Sequence, residues 1–278
     1  MHPLVSVIVP TYNRPERLQK TLGSILGQTY SNFEVIIVND GGTDAAGDVV
    51  RKIGDPRFRY YATPHRERSA ARNYGLQCAK GTYITFCDDD DLWLPEKLQR
   101  QVQFMQNTGA IISYTNAWIE LPNGKRRLAF SRPPRNFIAA ALTRNLAPLI
   151  TYMVERTLFS TIGGFDEHLS AGEDYDLWLR ALPHYQFYVL NVPLAVYVWH
   201  GSNTIQDKQR MSIAMNAVAS KNLERLLADH PTLVPPKLER RAKRHFILRV
   251  ARREFRDYHY GRALSAIFSV FSVRARIR

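Results

Sequence analysis

The chain has 278 residues, 45% of them hydrophobic and 23% charged. That balance excludes disorder along the whole length and predicts one large domain, or one domain with an appendage. Of the net charge of +13, ten units lie in residues 237–278, which hold 13 Lys/Arg against 3 Asp/Glu, so the basic character belongs to the C-terminal end.

The N-terminus, MHPLVSVIVP, is apolar but meets a proline at Pro10 and lacks a basic leader and a small-residue cleavage site, so it reads as a buried first strand. VSVIVP (5–10) is a continuous apolar run, the pattern of a strand covered on both faces. A helix follows TYNR, with Leu18, Leu22, Ile25 and Leu26 on one face. EVIIVND (34–40) is a second buried strand, closed by Gly41-Gly42. FRYYAT (58–63) predicts a third strand, and RSAARNYGLQCAKG (68–81) a small-residue helix with a glycine stop. TYITFC (82–87) is a further strand that runs into four aspartates. PEKLQRQVQFMQ (95–106) is a helix with proline in its first turn and Leu98, Val102 and Met105 on one face.

Beyond residue 106 the pattern is less regular. IISYTNAWIE (111–120) predicts a strand, PNGK (122–125) a turn and RPPRN (132–136) a loop. EDYDLWLRAL (173–182) predicts a helix, and FYVLNVPLAVYVWHG (187–201) strand pieces broken by Pro193. Helical periodicity resumes at Ile205, with a break at HPTLVPPK (230–237). Strand–helix alternation argues for an α/β fold with a largely parallel sheet. In such sheets ligands bind at the carboxyl ends of the strands, where Thr11-Tyr12-Asn13-Arg14, Asp40 and Asp88 to Asp91 fall. No stretch reaches the roughly 18 apolar residues of a spanning helix. The two cysteines, Cys78 and Cys87, make no disulfide framework and fit a reducing compartment.

The sharpest chemical signal is Cys87-Asp88-Asp89-Asp90-Asp91-Leu92-Trp93. Adjacent carboxylates repel one another, and gathering them is costly without a cation. Oxygen ligands point to Mg²⁺ or Mn²⁺, held by one or two carboxylates together with substrate phosphates. A solvated acidic turn is the plain alternative, and Asp91, near a helix start, is accounted for by capping as well as by chemistry. Asp40 is placed to accept from a nucleobase or ribose, although Asn-Asp-Gly-Gly is turn chemistry in its own right. Glu173, Asp174 and Asp176 supply a carboxylate for general-base work at a helix start, and the residues alone do not choose among them. His200, in WHGSN, would by itself be read as structural.

The ordered set VSVIVPTYNRPERLQKTLGSILGQTY, FEVIIVNDGGTD, ARNYGLQCAKGTYITFCDDDDLWLPEKL and GGFDE…GEDYDLWLRA resembles the family 2 glycosyltransferases of the GT-A fold over roughly residues 4–205. The resemblance implies a mixed, mostly parallel sheet flanked by helices, with a C-terminal helical extension. It divides the chain into a nucleotide-sugar-binding half (1–106), an acceptor-binding and catalytic-base half (107–205) and a basic helical extension (206–278). It assigns the nucleotide base to Asp40, the two acids of the DxD motif to Asp88 and Asp90, and metal contact to Asp90, Asp88 and His200. Asp174 becomes the catalytic base. Thr11, Tyr12, Arg68 and Asp89 join the donor side. The implied reaction is inverting transfer from a nucleotide-sugar, most commonly a UDP-sugar, to a hydroxyl of a saccharide or lipid-linked saccharide, with Mn²⁺ or Mg²⁺.

Competing classes lack their signatures. PTYNRPE replaces the glycine-rich turn of a dehydrogenase, and no GxxxxGK[ST] is present. A sugar nucleotidyltransferase would carry a glycine-rich loop and a basic residue after the first strand. The remaining alternative is a basic protein that binds nucleic acid or an anionic surface without catalysis. The positive residues between Lys237 and Tyr258 spread around the helix with no clean stripe, so no nucleic-acid partner is expected. Leu264, Ile267, Phe268 and Phe271 make an apolar strip flanked by arginines, which fits an interfacial helix on an anionic membrane as well as it fits packing on the domain. The expected location is cytoplasmic, with a peripheral place on the cytoplasmic face of the membrane if that helix binds lipid.

Overall fold

The computed structural model describes residues 2–201 and 208–256. In chain order the elements are β1 (Val5–Thr11), α1 (Pro15–Leu26), β2 (Phe33–Asp40), α2 (Ala45–Ile53), β3 (Phe58–Thr63), α3 (Glu67–Cys78), β4 (Tyr83–Phe86), β5 (Leu92–Trp93), α4 (Lys97–Thr108), β6 (Ile112–Glu120), β7 (Arg126–Leu128), α5 (Phe137–Ala141), β8 (Tyr152–Glu155), α6 (Leu158–Ile162), α7 (Glu173–Ala181), β9 (Phe187–Val198), α8 (Lys208–Asp229) and α9 (Pro236–Arg256). They form two compact units. The first comprises Met1–Pro133, Ala147–Glu167 and His184–Gly201; the second comprises Pro134–Leu146, His168–Pro183 and the described chain beyond Gly201.

The first unit contains all nine described strands, in one mixed sheet of order β3-β2-β1-β4-β8-β6-β9-β5, with β7 added to β6. β1 pairs in parallel with β2 and β4, and β2 with β3. β8 runs antiparallel between β4 and β6, so β6 and its parallel neighbour β9 point the same way as β1. The carboxyl ends of β1, β2, β4 and β9 therefore share one edge of the sheet. Every residue of β1 and β2 is buried, as their apolar runs require of strands covered on both faces. Leu18, Leu22 and Ile25 of α1 and Leu98, Val102 and Met105 of α4 are buried in the same core.

Several local expectations are corrected. Leu26, expected on the buried face of α1, is 40% exposed. The stretch 45–53, to which the sequence pattern assigned no element, folds as α2. α3 stops at Cys78, before Gly81; a Cβ at Gly81 would sit 2.6 Å from the Ser6 backbone nitrogen, so that glycine permits close approach to β1. Pro193 does not break β9. The register slips instead, with Thr115 opposite Leu190 and Asn116 opposite Pro193. At the slip the Asn116 Oδ1 accepts from the Ala117 N–H at 2.9 Å, and its Nδ2 donates to the Phe130 carbonyl at 2.7 Å.

The second unit is helical. α8 packs against α7 and α9. The expected break at 230–237 contracts to a 3₁₀ turn at Pro231–Leu233, and α9 starts at Pro236, where a missing N–H is harmless. No described helix is long and apolar enough to cross a membrane. The apolar strip at 264–271 lies outside the described residues.

Candidate functional site

Four strand ends on one edge of the sheet deliver the polar residues of the first unit. After β4 the backbone turns at Asp88-Asp89-Asp90-Asp91, and the four carboxylates go to different partners. Asp88 accepts from Arg72 Nη2 at 2.5 Å. Burial by itself would raise its pKa, but the charge and hydrogen bond of Arg72, with Arg68 and Arg14 nearby, outweigh that and hold it below the usual value. Asp89 is 5% exposed and accepts from Thr11 Oγ1 at 2.8 Å and Arg14 Nη1 at 3.2 Å. Desolvation, reinforced by the charge of Asp90, pushes its pKa up to about 6. Thr11 is correspondingly buried and ties β1 to the acidic loop.

Asp90 occupies the centre of the loop. Its Oδ2 lies 2.8 Å from Arg14 Nη1 and 2.8 Å from His200 Nε2. Arg17 Nη1 lies 2.9 Å from Nδ1 and 2.7 Å from Nε2 of His200, so the guanidinium covers the nitrogen side of the ring. His200 is thus brought to the acidic loop by the carboxyl end of β9, 110 residues away in the chain. Asp91 is not a helix cap. It is fully buried, its Oδ1 accepts from the Val198 N–H at 2.8 Å, and its carbonyl accepts from Thr21 Oγ1 at 2.8 Å. Burial, then the charge of Asp90, raises its pKa well above the ordinary carboxylate value. Asp91 thus clamps β9 beside the loop.

Asp40, at the end of β2, is buried, and its carboxylate accepts from the Arg66 N–H at 2.8 Å and lies 2.8 Å from His65 Nδ1. His65 stacks on Tyr12, ring centroids 4.6 Å apart, and Tyr12 remains 46% exposed. An aromatic face beside a strand-end carboxylate is a surface on which a planar base can lie. Arg68, in the first turn of α3, is half-buried and acts on Asp88 through its charge. Arg14, Arg17, His65, Arg66 and Arg72 were not singled out by sequence reasoning. Arg14 falls in the TYNR segment already placed at a strand end, and only that position marked it.

Among the described residues no three His, Cys, Asp or Glu side chains are arranged to hold an ion. The donor set near Asp90 is the pair Asp90–His200, with Asp88 turned to Arg72. A carboxylate, phosphate oxygens and water suit Mg²⁺ or Mn²⁺, and an imidazole beside them fits Mn²⁺ better than the harder Mg²⁺.

Asp174 belongs to the second unit. α7 starts at Gly172, whose φ of +78° is a glycine conformation. Of the three acids at its start, Glu173 is 5% exposed and Asp176 fully buried, whereas Asp174 is partly exposed. Asn145 Nδ2 donates to Asp174 Oδ2 at 2.7 Å, and the Tyr175 N–H donates to Oδ1 at 2.8 Å. Asp176 instead accepts from Arg180 at 2.7 Å and from Asn222 at 2.8 Å. Asn145 lies in a segment without periodicity, which gave no signal for it.

The family model for glycosyl transferase family 2 matches residues 6–157, more than half of the chain. The chain belongs to the family 2 glycosyltransferases. Among curated relatives, an uncharacterised glycosyltransferase of Rickettsia typhi is 33% identical over 65% of this chain and 59% of its own length. The Escherichia coli protein WfaP, a UDP-Glc:α-D-GlcNAc-diphosphoundecaprenol β-1,3-glucosyltransferase, is 36% identical over 64% of this chain and 70% of its own length. The chain spans less than two thirds of the length of several of the relatives it matches. Among solved structures, a Pyrobaculum calidifontis mannosyltransferase in complex with GDP-Man and Mn²⁺ superposes over 98% of this chain and 76% of its own, with a TM-score of 0.68 at 20% identity, a likeness of fold.

Proposed function

We propose that this family 2 chain is a metal-dependent, inverting glycosyltransferase. It moves a sugar from a nucleotide-sugar, most simply a UDP-sugar, to a hydroxyl of a saccharide or lipid-linked saccharide in glycan biosynthesis. The observation that carries the reading is the meeting of Asp90 and His200 at 2.8 Å on the sheet edge that also presents Asp40. WfaP supports the choice of a UDP-sugar and of a lipid-linked acceptor.

The residues divide the work. Asp40, with His65 and Tyr12, receives the nucleoside. Thr11 and Asp89 hold the acidic loop against β1, and Arg68 stands beside Asp88 at the donor side. Asp90 and His200, with Asp88 after release from Arg72, are the groups that would hold Mn²⁺ or Mg²⁺. A cation bound there supplies positive charge to the diphosphate leaving group. Asp174 takes the proton of the acceptor hydroxyl as that oxygen attacks. Attack on the face opposite the diphosphate inverts the anomeric centre, so no covalent glycosyl-enzyme forms. A lipid-linked acceptor would place the protein peripherally on the cytoplasmic face of a membrane.

Transfer from radiolabelled UDP-sugars tests the reading. Activity is expected to vanish with EDTA and return with Mn²⁺ or Mg²⁺, and product NMR is expected to show inversion. Full activity in EDTA would reject the metal, and retention would reject the mechanism.

A further inference from the structure

The second unit contains a cavity of about 640 Å³ that the proposed chemistry does not use. Its wall comes from the loop before α5, from α5 and the residues just after it, and from α9. Arg135, Arg144, Arg241, Arg244 and His245 line it, and Leu248 adds an apolar patch. No carboxylate is among the lining residues. The side chains of the four arginines form no ion pair among the described residues.

Four exposed arginines border one open cavity, and with no acid among the residues that line it the cavity is a receptor for anions. Guanidinium forks bind phosphate oxygens in pairs, which a single lysine does not. The volume lies in the range of small-molecule sites, about 300–1,000 Å³, and exceeds what one phosphate fills. The position also bears on the reaction. Arg144, on the cavity wall, is followed directly by Asn145, whose amide holds Asp174 at 2.7 Å. Consecutive Cα atoms are about 3.8 Å apart. The anion site and the amide that holds the candidate base thus share one short stretch of backbone in one unit.

We infer that this cavity binds the diphosphate of the acceptor, so that the enzyme selects acceptors whose sugar is carried on a diphosphate. The inference rests on the transferase reading above and extends it to the acceptor class. The site is distinct from the Asp90–His200 pair, which belongs to the donor side.

Calorimetric titration of the full chain with inorganic pyrophosphate in EDTA is the direct test. Binding is expected, weakened at least tenfold in R241A/R244A and in R135A/R144A, and unchanged in D90A. The second pair of substitutions guards against a folding defect in the first. Unchanged binding in both double variants, or equal loss in D90A, overturns the site. Acceptor kinetics then identify the source of the anion. With decyl-diphospho-N-acetylglucosamine, R241A/R244A should raise KM at least tenfold with little change in kcat. With decyl N-acetylglucosaminide, which lacks the diphosphate, the variant and the parent should agree. Equal losses on both acceptors would mean a structural role and overturn the proposal. So would loss of sedimentation with phosphatidylglycerol vesicles while pyrophosphate affinity and acceptor KM stay unchanged, which would assign the arginines to a lipid surface. If the parent enzyme uses neither acceptor, the transferase reading fails for these substrates, and the pyrophosphate titration still decides the cavity.

Discussion

Asp174 is gripped from two sides, by the Asn145 amide and the Tyr175 N–H, which fixes its carboxylate direction. Asp174→Asn should therefore bind nucleoside diphosphate normally and lose kcat by about 10²–10⁴, the usual contribution of a positioned base. Loss of donor affinity with kcat preserved would make it a binding residue. A second residue-scale consequence concerns Lys97, which is fully buried. Its Nζ donates to Gln101 Oε1 at 2.9 Å and lies 4.3 Å from the Trp93 ring centroid. Desolvation pushes its pKa down to about 7. The folded pKa lies below that of the unfolded chain, so the unfolded state binds more protons above pH 7, and this group makes stability rise with pH from there. Buried Cys87 has the opposite sign: desolvation, then the charge of Asp91, raises its pKa, so above about pH 8.5 its unfolded thiol ionises and offsets the gain. The window for Lys97 is thus about pH 7–8.5. In urea denaturation, the parent should gain on Lys97→Met by about 2 kcal/mol across that window. Parallel curves would show that the ammonium is not desolvated.

At the scale of elements, the tie between α7 and α8 runs through one carboxylate. Asp176 is fully buried and spends one oxygen on Arg180 and the other on Asn222. Asp176→Ala removes the carboxylate from the largely buried Arg180 guanidinium and from the Asn222 amide, and should destabilise the chain by roughly 3–5 kcal/mol. Asp174→Asn, by contrast, should change stability by less than about 1 kcal/mol. Denaturant midpoints of the two variants separate the structural acid from the chemical one; equal midpoints would dissolve the distinction. The same helix shows the limit of local pattern. Its acids at 173, 174 and 176 look equivalent along the chain, and burial separates them: Glu173 and Asp176 are covered and Asp174 is partly exposed. β9 shows another limit: a proline is tolerated inside a strand where the register slips and the Asn116 side chain bonds backbone groups at the slip.

For the whole molecule, ligand linkage gives the broadest test. A nucleoside diphosphate with Mn²⁺ at about a hundred times its Kd should stabilise the folded state by about 2.7 kcal/mol. For a chain of this size that raises Tm by roughly 5–10 °C. Asp90→Ala should abolish the Mn²⁺-dependent part of the shift while keeping its own melting transition. An undiminished shift in that variant would remove Asp90 from the site.

The strands β1, β2, β3, β4 and β6, the core face of α4, three of the four core residues expected on α1, and the strand ends where Asp40 and the four aspartates lie were legible from periodicity, whereas β5, β7 and β8 were not. Burial on both faces of a parallel sheet imposes a continuous apolar run, and the fold then places polar residues at its carboxyl edge. The order of motifs was enough to indicate the family and to nominate Asp174. Partnership was not legible. Asp88 with Arg72, Asp89 with Thr11, Asp91 with Val198, and Asp90 with His200 are contacts across 16 to 110 residues. Four adjacent aspartates carry the same chemistry in the chain, and their separation into an arginine partner, a strand tie, a central acid and a buried clamp depends on which strand end each one meets. The basic cavity has the same origin. Arg135 and Arg144 are isolated residues in an irregular segment, and Arg241 and Arg244 are two of many cations on α9. Their grouping around one volume is a product of packing, because charges far apart in sequence have no periodic signature in common.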